Sequence, residues 1–200
     1  MDILLQILAI FLSYLIGAVP FGLFFSRLFS DVDVRTVGSG NIGATNVLRA
    51  AGKKAAALTL LMDTMKGLVP VLMVKSIFQD DSITVLSGVA AILGHNFPVY
   101  LRFKGGKGVA TSYGVVFAVA PWIGLVSLLI WVLVAYIWRY SSLSAIVAFA
   151  CYLAMTFFTT STISQHYGLL ALFIFGMIYY RHRENIKRLL AGTEPKIGQK

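Results

Sequence analysis

The segment ILLQILAIFLSYLIGAVPFGLFF, residues 3–25, runs for 23 residues without one formally charged side chain. An α-helix needs about 20 predominantly apolar residues to cross the hydrocarbon core of a bilayer, where backbone polar groups must be satisfied without water. Further apolar segments lie near 55–77, 82–101, 108–120, 121–138, 142–159 and 165–180. Together they predict an all-α, polytopic integral membrane protein of about seven transmembrane helices. The segment at 108–120 is short, and a five-span arrangement in which 108–138 dips without crossing twice has the same parity. Composition agrees with a membrane protein, since 58% of the residues are apolar and 12% charged, against about a quarter charged in a soluble domain. No Arg-led apolar stretch with a small-residue cleavage site opens the chain, so the first run reads as a retained span.

The net charge of +9, from 17 Lys and Arg against 8 Asp and Glu, could suggest nucleic acid if its distribution were ignored. It falls instead in the segments between spans on one side, from Arg27, Arg35, Arg49, Lys53 and Lys54 through Lys104, Lys107 and Arg139 to Arg181 and Arg188. The other side receives Asp2, Asp80 and Asp81, with almost no base beyond Lys75. By the positive-inside rule the N-terminus lies outside and the C-terminus in the cytoplasm. No nucleic-acid partner is expected. The lone Cys151 excludes an intrachain disulfide and lies in an apolar run, where it reads as a small core residue.

With no linker, low-complexity tract or repeat, residues 1–200 read as one domain. Its polar sequence gathers in three stretches, RTVGSGNIGATNVLRAAGKK (35–54), GHNFPVYLRFKGGKGVATS (94–112) and YRHRENIKRLLAGTEPK (180–196). All three fall on the cytoplasmic side of the seven-span arrangement. Glycines let backbone N–H groups turn toward an anion, and a helix starting just after them adds its positive end. The first stretch interleaves Gly38, Gly40 and Gly43 with Ser39, Asn41, Thr45 and Asn46, and Arg49 can grip two oxygens at once. The second surrounds Lys107 with Gly105, Gly106 and Gly108 before an apolar helix. Two phosphate cradles therefore face one another, against the plainer alternative of glycine turns with basic residues at headgroup level.

Familiar catalytic motifs are missing. Lys53 is followed by Lys54 and Lys107 by Gly108, so neither completes a P-loop. No clustered acid pair suits magnesium, and no metal or cofactor is expected. The fifth residue after His95, His166 and His182 is Tyr100, Ala171 and Lys187, which excludes a His-x4-Asp acyltransferase pair. No Ser-His-acid set can be picked out. Asp63 and Lys66, three apart in the second span, read as an intrahelical ion pair. His95 ends the third span as a pocket residue or a helix-terminus hydrogen-bonder, and His166 lies on the opposite side of the membrane. Trp122, Trp131 and Trp138 read as membrane anchors or core.

The stretches VGSGNIGATNVLRAAGKK, GHNFPVYLRFKGGKGVAT and YRHRENIKRLLAGTE resemble, in order and spacing, the three signature stretches of the bacterial acyl-phosphate:glycerol-3-phosphate acyltransferases, the PlsY family. The resemblance covers essentially the full chain. It implies a seven-helix enzyme of the bacterial cytoplasmic membrane, with its site at the cytoplasmic face. Such an enzyme moves a fatty acyl group from acyl phosphate to the 1-hydroxyl of glycerol 3-phosphate, giving lysophosphatidic acid and phosphate at the start of phospholipid synthesis. An enzyme that forms acyl phosphate is an implied upstream partner.

The resemblance also implies roles. Ser39, with the backbone from Gly40 through Gly43 to Thr45, receives the acyl-phosphate phosphate, supported by Asn41, Thr45 and Asn46. Arg49 clamps a phosphate. Lys107, with the amides of Gly105, Gly106 and Gly108, holds glycerol 3-phosphate or neutralises charge between the ligands. His182 and Asn185 share a helical face toward the pocket. Glu184 pairs with Arg181, Arg188 or the first loop and fixes the geometry. An acyl phosphate carries its own leaving group, so neither acyl-enzyme nor metal is needed, and a phosphate oxygen takes the hydroxyl proton. His182, the rival base, then donates a hydrogen bond. A small anion transporter or channel is the alternative, although it calls for polar groups near the midplane, where only Asp63 and Lys66 lie. A scaffold for soluble partners is weaker, since it leaves the glycine and hydroxyl clusters unexplained.

Overall fold

The computed structural model describes residues 2–159 and 165–199, and every regular element in them is helical. Nine α-helices follow in order among the described residues. They are α1 (Ile3–Ala18), α2 (Phe21–Ser30), α3 (Ala44–Phe78), α4 (Asp81–Asn96), α5 (Val109–Val119), α6 (Pro121–Trp138), α7 (Ser141–Phe158), α8 (Gln165–Arg181) and α9 (Arg183–Leu190). Single 3-10 turns lie at Val34–Thr36 and Val99–Leu101.

Five stretches are long and apolar enough to cross a bilayer among the described residues, namely Ile3–Ser30, Ala44–Phe78, Asp81–Leu101, Pro121–Trp138 and Ser141–Phe158. Helix α8, at 17 residues, and α5, at 11, are shorter. At 1.5 Å per residue α5 covers about 16 Å, little more than half of α6. Most of its residues are buried.

Two expected boundaries move, both for backbone reasons. The first apolar run is not one helix to residue 25: Pro20 cannot continue the α1 ladder, and the chain turns at Val19–Pro20 into the amphipathic α2. The second long helix starts at Ala44 rather than near 55, so half of the first glycine-rich stretch is helical. It is divided at Gly52, whose φ of 81° and ψ of −176° are open to glycine alone.

Lipid supplies no drive for helices to associate, so close backbone contact has to hold the bundle together. Helices α1 and α4 meet through Gly17 and Gly94, and α3 and α5 through Gly67 and Gly114; a Cβ at any of the four would lie 2.0–2.2 Å from a carbonyl oxygen of the facing helix. The main core joins α3, α4, α5, α7 and α8 around Ile92, Val115, Phe149, Tyr152 and Ile174. Trp122 and Trp138 are exposed on α6, whereas Trp131 is half-buried and turned inward. His166 pairs with Ser82 at the N-terminal end of α4, opposite the cavity described next.

Candidate active site

Three helices begin around one cavity of about 340 Å³. Helix α3 enters it at Gly43, Ala44 and Thr45, α5 at Gly108, Val109 and Ala110, and α7 at Ser141 and Ser142. None of the three N-termini carries a side-chain cap. Each leaves N–H groups and a partial positive charge directed at whatever occupies the space. Arg49, one turn beyond Thr45, Lys107 and Arg188 add three cations to the lining. Such a wall suits more than one anionic group at a time.

A polar chain ties these elements together. Lys107 Nζ donates to Asn185 Oδ1 at 2.6 Å, and Asn185 Nδ2 donates to Glu194 Oε1 at 2.6 Å. Ser142 Oγ donates to the same oxygen at 2.7 Å, while Arg188 Nε meets Glu194 Oε2 at 2.8 Å. One carboxylate thus locks α7, α9 and the C-terminal segment and orients the amide that steadies Lys107. Despite its burial, Glu194 is held below the usual carboxylate range by donors from Asn185, Ser142 and Arg188. Burial draws Lys107 down to about 8; Glu194 opposes this, and Arg188, Arg181 and Arg49 reinforce it.

His182 is buried, and burial followed by the Lys107 charge hold its imidazole at about 4, so the ring is neutral near pH 7. Its Nδ1 lies 2.8 Å from the Ile178 carbonyl oxygen, which can only accept. The ring proton therefore sits on Nδ1, and Nε2 is an acceptor. This corrects the expectation that His182 donates a hydrogen bond to the substrate.

The loop at 105–108 owes its shape to its neighbours. Gly106 donates its N–H to the His95 carbonyl at 3.1 Å, and Arg181 donates to the carbonyls of Gly105 and Gly106 at 2.8 and 3.0 Å. A Cβ at Gly106 would fall 2.1 Å from His95 Nε2. The Gly106 amide is therefore not free for a ligand, and neither Gly105 nor Gly106 lines the cavity, whereas Gly108 does. Gly40 likewise spends its N–H on Val37 and stays outside the lining.

Asn46 lines the cavity but is committed as a strut. Its Oδ1 accepts from the Ser39 N–H at 3.1 Å, and its Nδ2 faces the carbonyls of Val34, Val37 and Asn41 at 2.9–3.0 Å. Glu184 is the clearest correction. It is exposed, pairs with Lys187 at 3.1 Å and Arg183 at 3.6 Å, and does not line the cavity, because the first turn of α9 turns it to the surface.

Ser39, Asn41, Gly43, Thr45, Arg49, Lys107, Gly108, His182, Asn185 and His95 do line one space. Thr45 Oγ1 lies 3.2 Å from Ser141 Oγ, and Arg49 reaches the Lys196 carbonyl at 3.3 Å. Glu194, Ser142 and Arg181 were not foreseen in these roles. The signal for Glu194 was its place at the end of the third signature-like stretch, YRHRENIKRLLAGTE, to which no role was attached. Ala56, Ala57, Leu60 and Trp131 form an apolar wall beside the cations. A ligand with an anionic head and a hydrocarbon tail matches that division. Among the described residues no Ser, Thr or Cys side chain of the cavity bonds a histidine ring; the Ser82–His166 contact lies at the other end of the molecule. No group of three metal-ligating side chains occurs among the described residues.

Comparison with known proteins agrees with this geometry. The family model described as glycerol-3-phosphate acyltransferase matches residues 7–192. A glycerol-3-phosphate acyltransferase of Dinoroseobacter shibae is 48% identical over 188 residues, covering 94% of this chain and 91% of its own. One from Bordetella pertussis is 45% identical, covering 96% of this chain and 91% of its own. The crystal structure of PlsY (YgiH), an integral membrane glycerol 3-phosphate acyltransferase in its glycerol 3-phosphate form, superposes with a TM-score of 0.90 at 43% identity, covering 96% of each chain. Its lysophosphatidic acid form gives 0.88 at 42% identity, covering 96% of this chain and 95% of that one. The chain belongs to the glycerol-3-phosphate acyltransferase family, the PlsY family, and is an integral membrane acyltransferase of phospholipid synthesis.

Proposed function

We propose that residues 1–200 act as one membrane-embedded domain of the bacterial cytoplasmic membrane, transferring a fatty acyl group from acyl phosphate to the 1-hydroxyl of glycerol 3-phosphate. The products are lysophosphatidic acid and phosphate. The observation that carries this reading is the cavity itself, with three uncapped helix N-termini and three cations set against an apolar wall. Relatives solved in glycerol 3-phosphate and lysophosphatidic acid forms support the acceptor and product. The basic residues around the cavity favour a cytoplasmic site, and seven spans, with α5 and α8 crossing inside the bundle, fit an external N-terminus.

Two phosphorylated substrates repel one another, and the task of the site is to hold them together. The α3 N-terminus, with Ser39, Asn41 and Arg49, takes the phosphate of the donor, whose chain runs along Ala56, Leu60 and Trp131. Lys107 and the α5 N-terminus take the phosphate of the acceptor. The hydroxyl oxygen attacks the acyl carbon and the bond from that carbon to the phosphate oxygen breaks. Phosphate leaves without an acyl-enzyme, because an acyl phosphate is already activated. Positioning and preorganised donors supply the rate.

His182 Nε2 accepts the hydrogen bond of the reacting hydroxyl and orients it. At about 4 the ring is a weak base, and the proton passes to a phosphate oxygen of the donor. The family assignment takes precedence over an anion transporter or channel. The test is transfer to labelled glycerol 3-phosphate by the purified protein with acyl phosphate or acyl-CoA as donor. Acyl phosphate should support it with one phosphate released per product; efficient transfer from acyl-CoA would overturn the donor assignment.

A further inference from the structure

Beyond Glu194 the chain reads PKIGQK, polar and without helical periodicity, yet it folds back onto the cavity. Pro195 and Ile197 both line that space. The Ile197 N–H donates to the Arg139 carbonyl at 2.6 Å, and Arg139 Nη2 donates back to the Ile197 carbonyl at 3.1 Å. From the other side Arg49 Nη2 reaches the Lys196 carbonyl at 3.3 Å. The segment therefore bridges Arg49 on α3 and Arg139 at the end of α6. Lys196 Nζ, 5.8 Å from the centroid of the Tyr140 ring, adds a hold on the same corner.

Residues 196–199 close a turn of their own. The Gln199 N–H donates to the Lys196 carbonyl at 3.2 Å, and the Lys196 N–H donates to Gln199 Oε1 at 2.9 Å. Gly198, at φ 83°, supplies the left-handed residue that the turn needs. The turn presents Ile197, the one large aliphatic side chain in residues 191–200, to a wall that also holds Arg49, Ser142 and Arg188. Its fastenings are unequal. Glu194 is buried among three donors, whereas Pro195, Gly198, Gln199 and Arg139 are exposed. Hydrogen bonds open to water break first, so the turn can swing out while Glu194 keeps its hold on Asn185 and Ser142.

Such a closure answers a hazard of the reaction. An acyl phosphate held for attack by a hydroxyl is also open to water. The water oxygen would attack the same acyl carbon and break its bond to the phosphate oxygen, passing one proton to the phosphate and leaving a fatty acid. Resting on the reading of this cavity as the site of transfer from acyl phosphate, we propose that residues 195–199 form a latch over the cavity mouth, with Ile197 as its stopper, that shields the bound donor from water. Arg49 has donors enough to meet the donor phosphate while Nη2 holds the Lys196 carbonyl, so the latch closes best over an occupied site. It opens to admit glycerol 3-phosphate and to release phosphate.

The experiment follows the purified protein with acyl phosphate, measuring phosphate release without glycerol 3-phosphate and lysophosphatidic acid formation with it. In wild type the release without acceptor should be roughly a tenth of the transfer rate or less. Ile197→Ser removes the apolar seal and should raise the ratio of release to transfer by roughly tenfold. Ile197→Leu should keep the wild-type ratio. Arg139→Ala alters no residue of the cavity lining and loses one fastening, so the ratio should rise about threefold. An unchanged ratio in both Ile197→Ser and Arg139→Ala, whether or not transfer itself falls, would overturn the latch. So would a wild type that releases phosphate without acceptor as fast as it transfers acyl groups, a result that needs no variant to fold. Failure of wild type to transfer from acyl phosphate at all would remove the underlying reading as well, whereas transfer with an unshifted ratio removes only the latch.

Discussion

Lys107 was legible as a cation of the cavity from its place among glycines before an apolar helix, whereas the device that steadies it was not. Glu194 acts from a non-periodic tail, through Asn185 and Ser142, and pairing of that kind leaves no spacing to read. Glu184, expected to pair with Arg181, Arg188 or the first loop, is turned outward by α9 and pairs with Arg183 and Lys187. We expect Lys107→Ala to lower kcat/KM by about 100-fold or more and Lys104→Ala, on an exposed side chain, to have little effect. Lys107 acts as the cation, so its contribution is present below a pH of about 8 and lost as pH rises through that value. The kcat/KM profile of wild type should therefore fall on its basic side near there. Lys107→Arg, which stays charged, should lose that limb. The same limb in wild type and Lys107→Arg would assign the titration to another group.

At the level of elements, α6, α7 and α8 begin and end within a residue or so of the apolar runs that predicted them, because each run is bounded by Pro, Arg or polar residues. The first two spans were harder. α2 continues the apolar run of α1 and conceals the Pro20 break, and Ala44–Ala51 is too polar to look like part of a spanning helix. Gly52 marks the joint, and its effect is testable. A Cβ there meets no atom within 4 Å, so Gly52→Ala costs backbone strain alone, about 1–3 kcal/mol. Relief of that strain tilts the turn that carries Thr45 and Arg49. We expect KM for acyl phosphate to rise several-fold or more while the variant still folds in detergent; wild-type KM with wild-type stability would contradict the hinge.

For the whole molecule, three polar stretches far apart in sequence could be assigned to one face from charge alone, and they do converge on one cavity. The orientation of that cavity is a separate matter of charge bias. In a Cys151→Ser background, Asp80→Cys should react with impermeant maleimide from outside intact cells and Lys104→Cys only after the inner face is exposed. Labelling of both from the same face would contradict the topology. The central claim is that one cavity holds both substrates at once and passes the acyl group directly between them. The most direct test is the two-substrate initial-rate pattern of the purified enzyme, together with incubation in radiolabelled acyl phosphate without acceptor. Direct transfer predicts intersecting reciprocal plots and no acyl label on the protein; parallel plots with a labelled protein that then acylates glycerol 3-phosphate would contradict it.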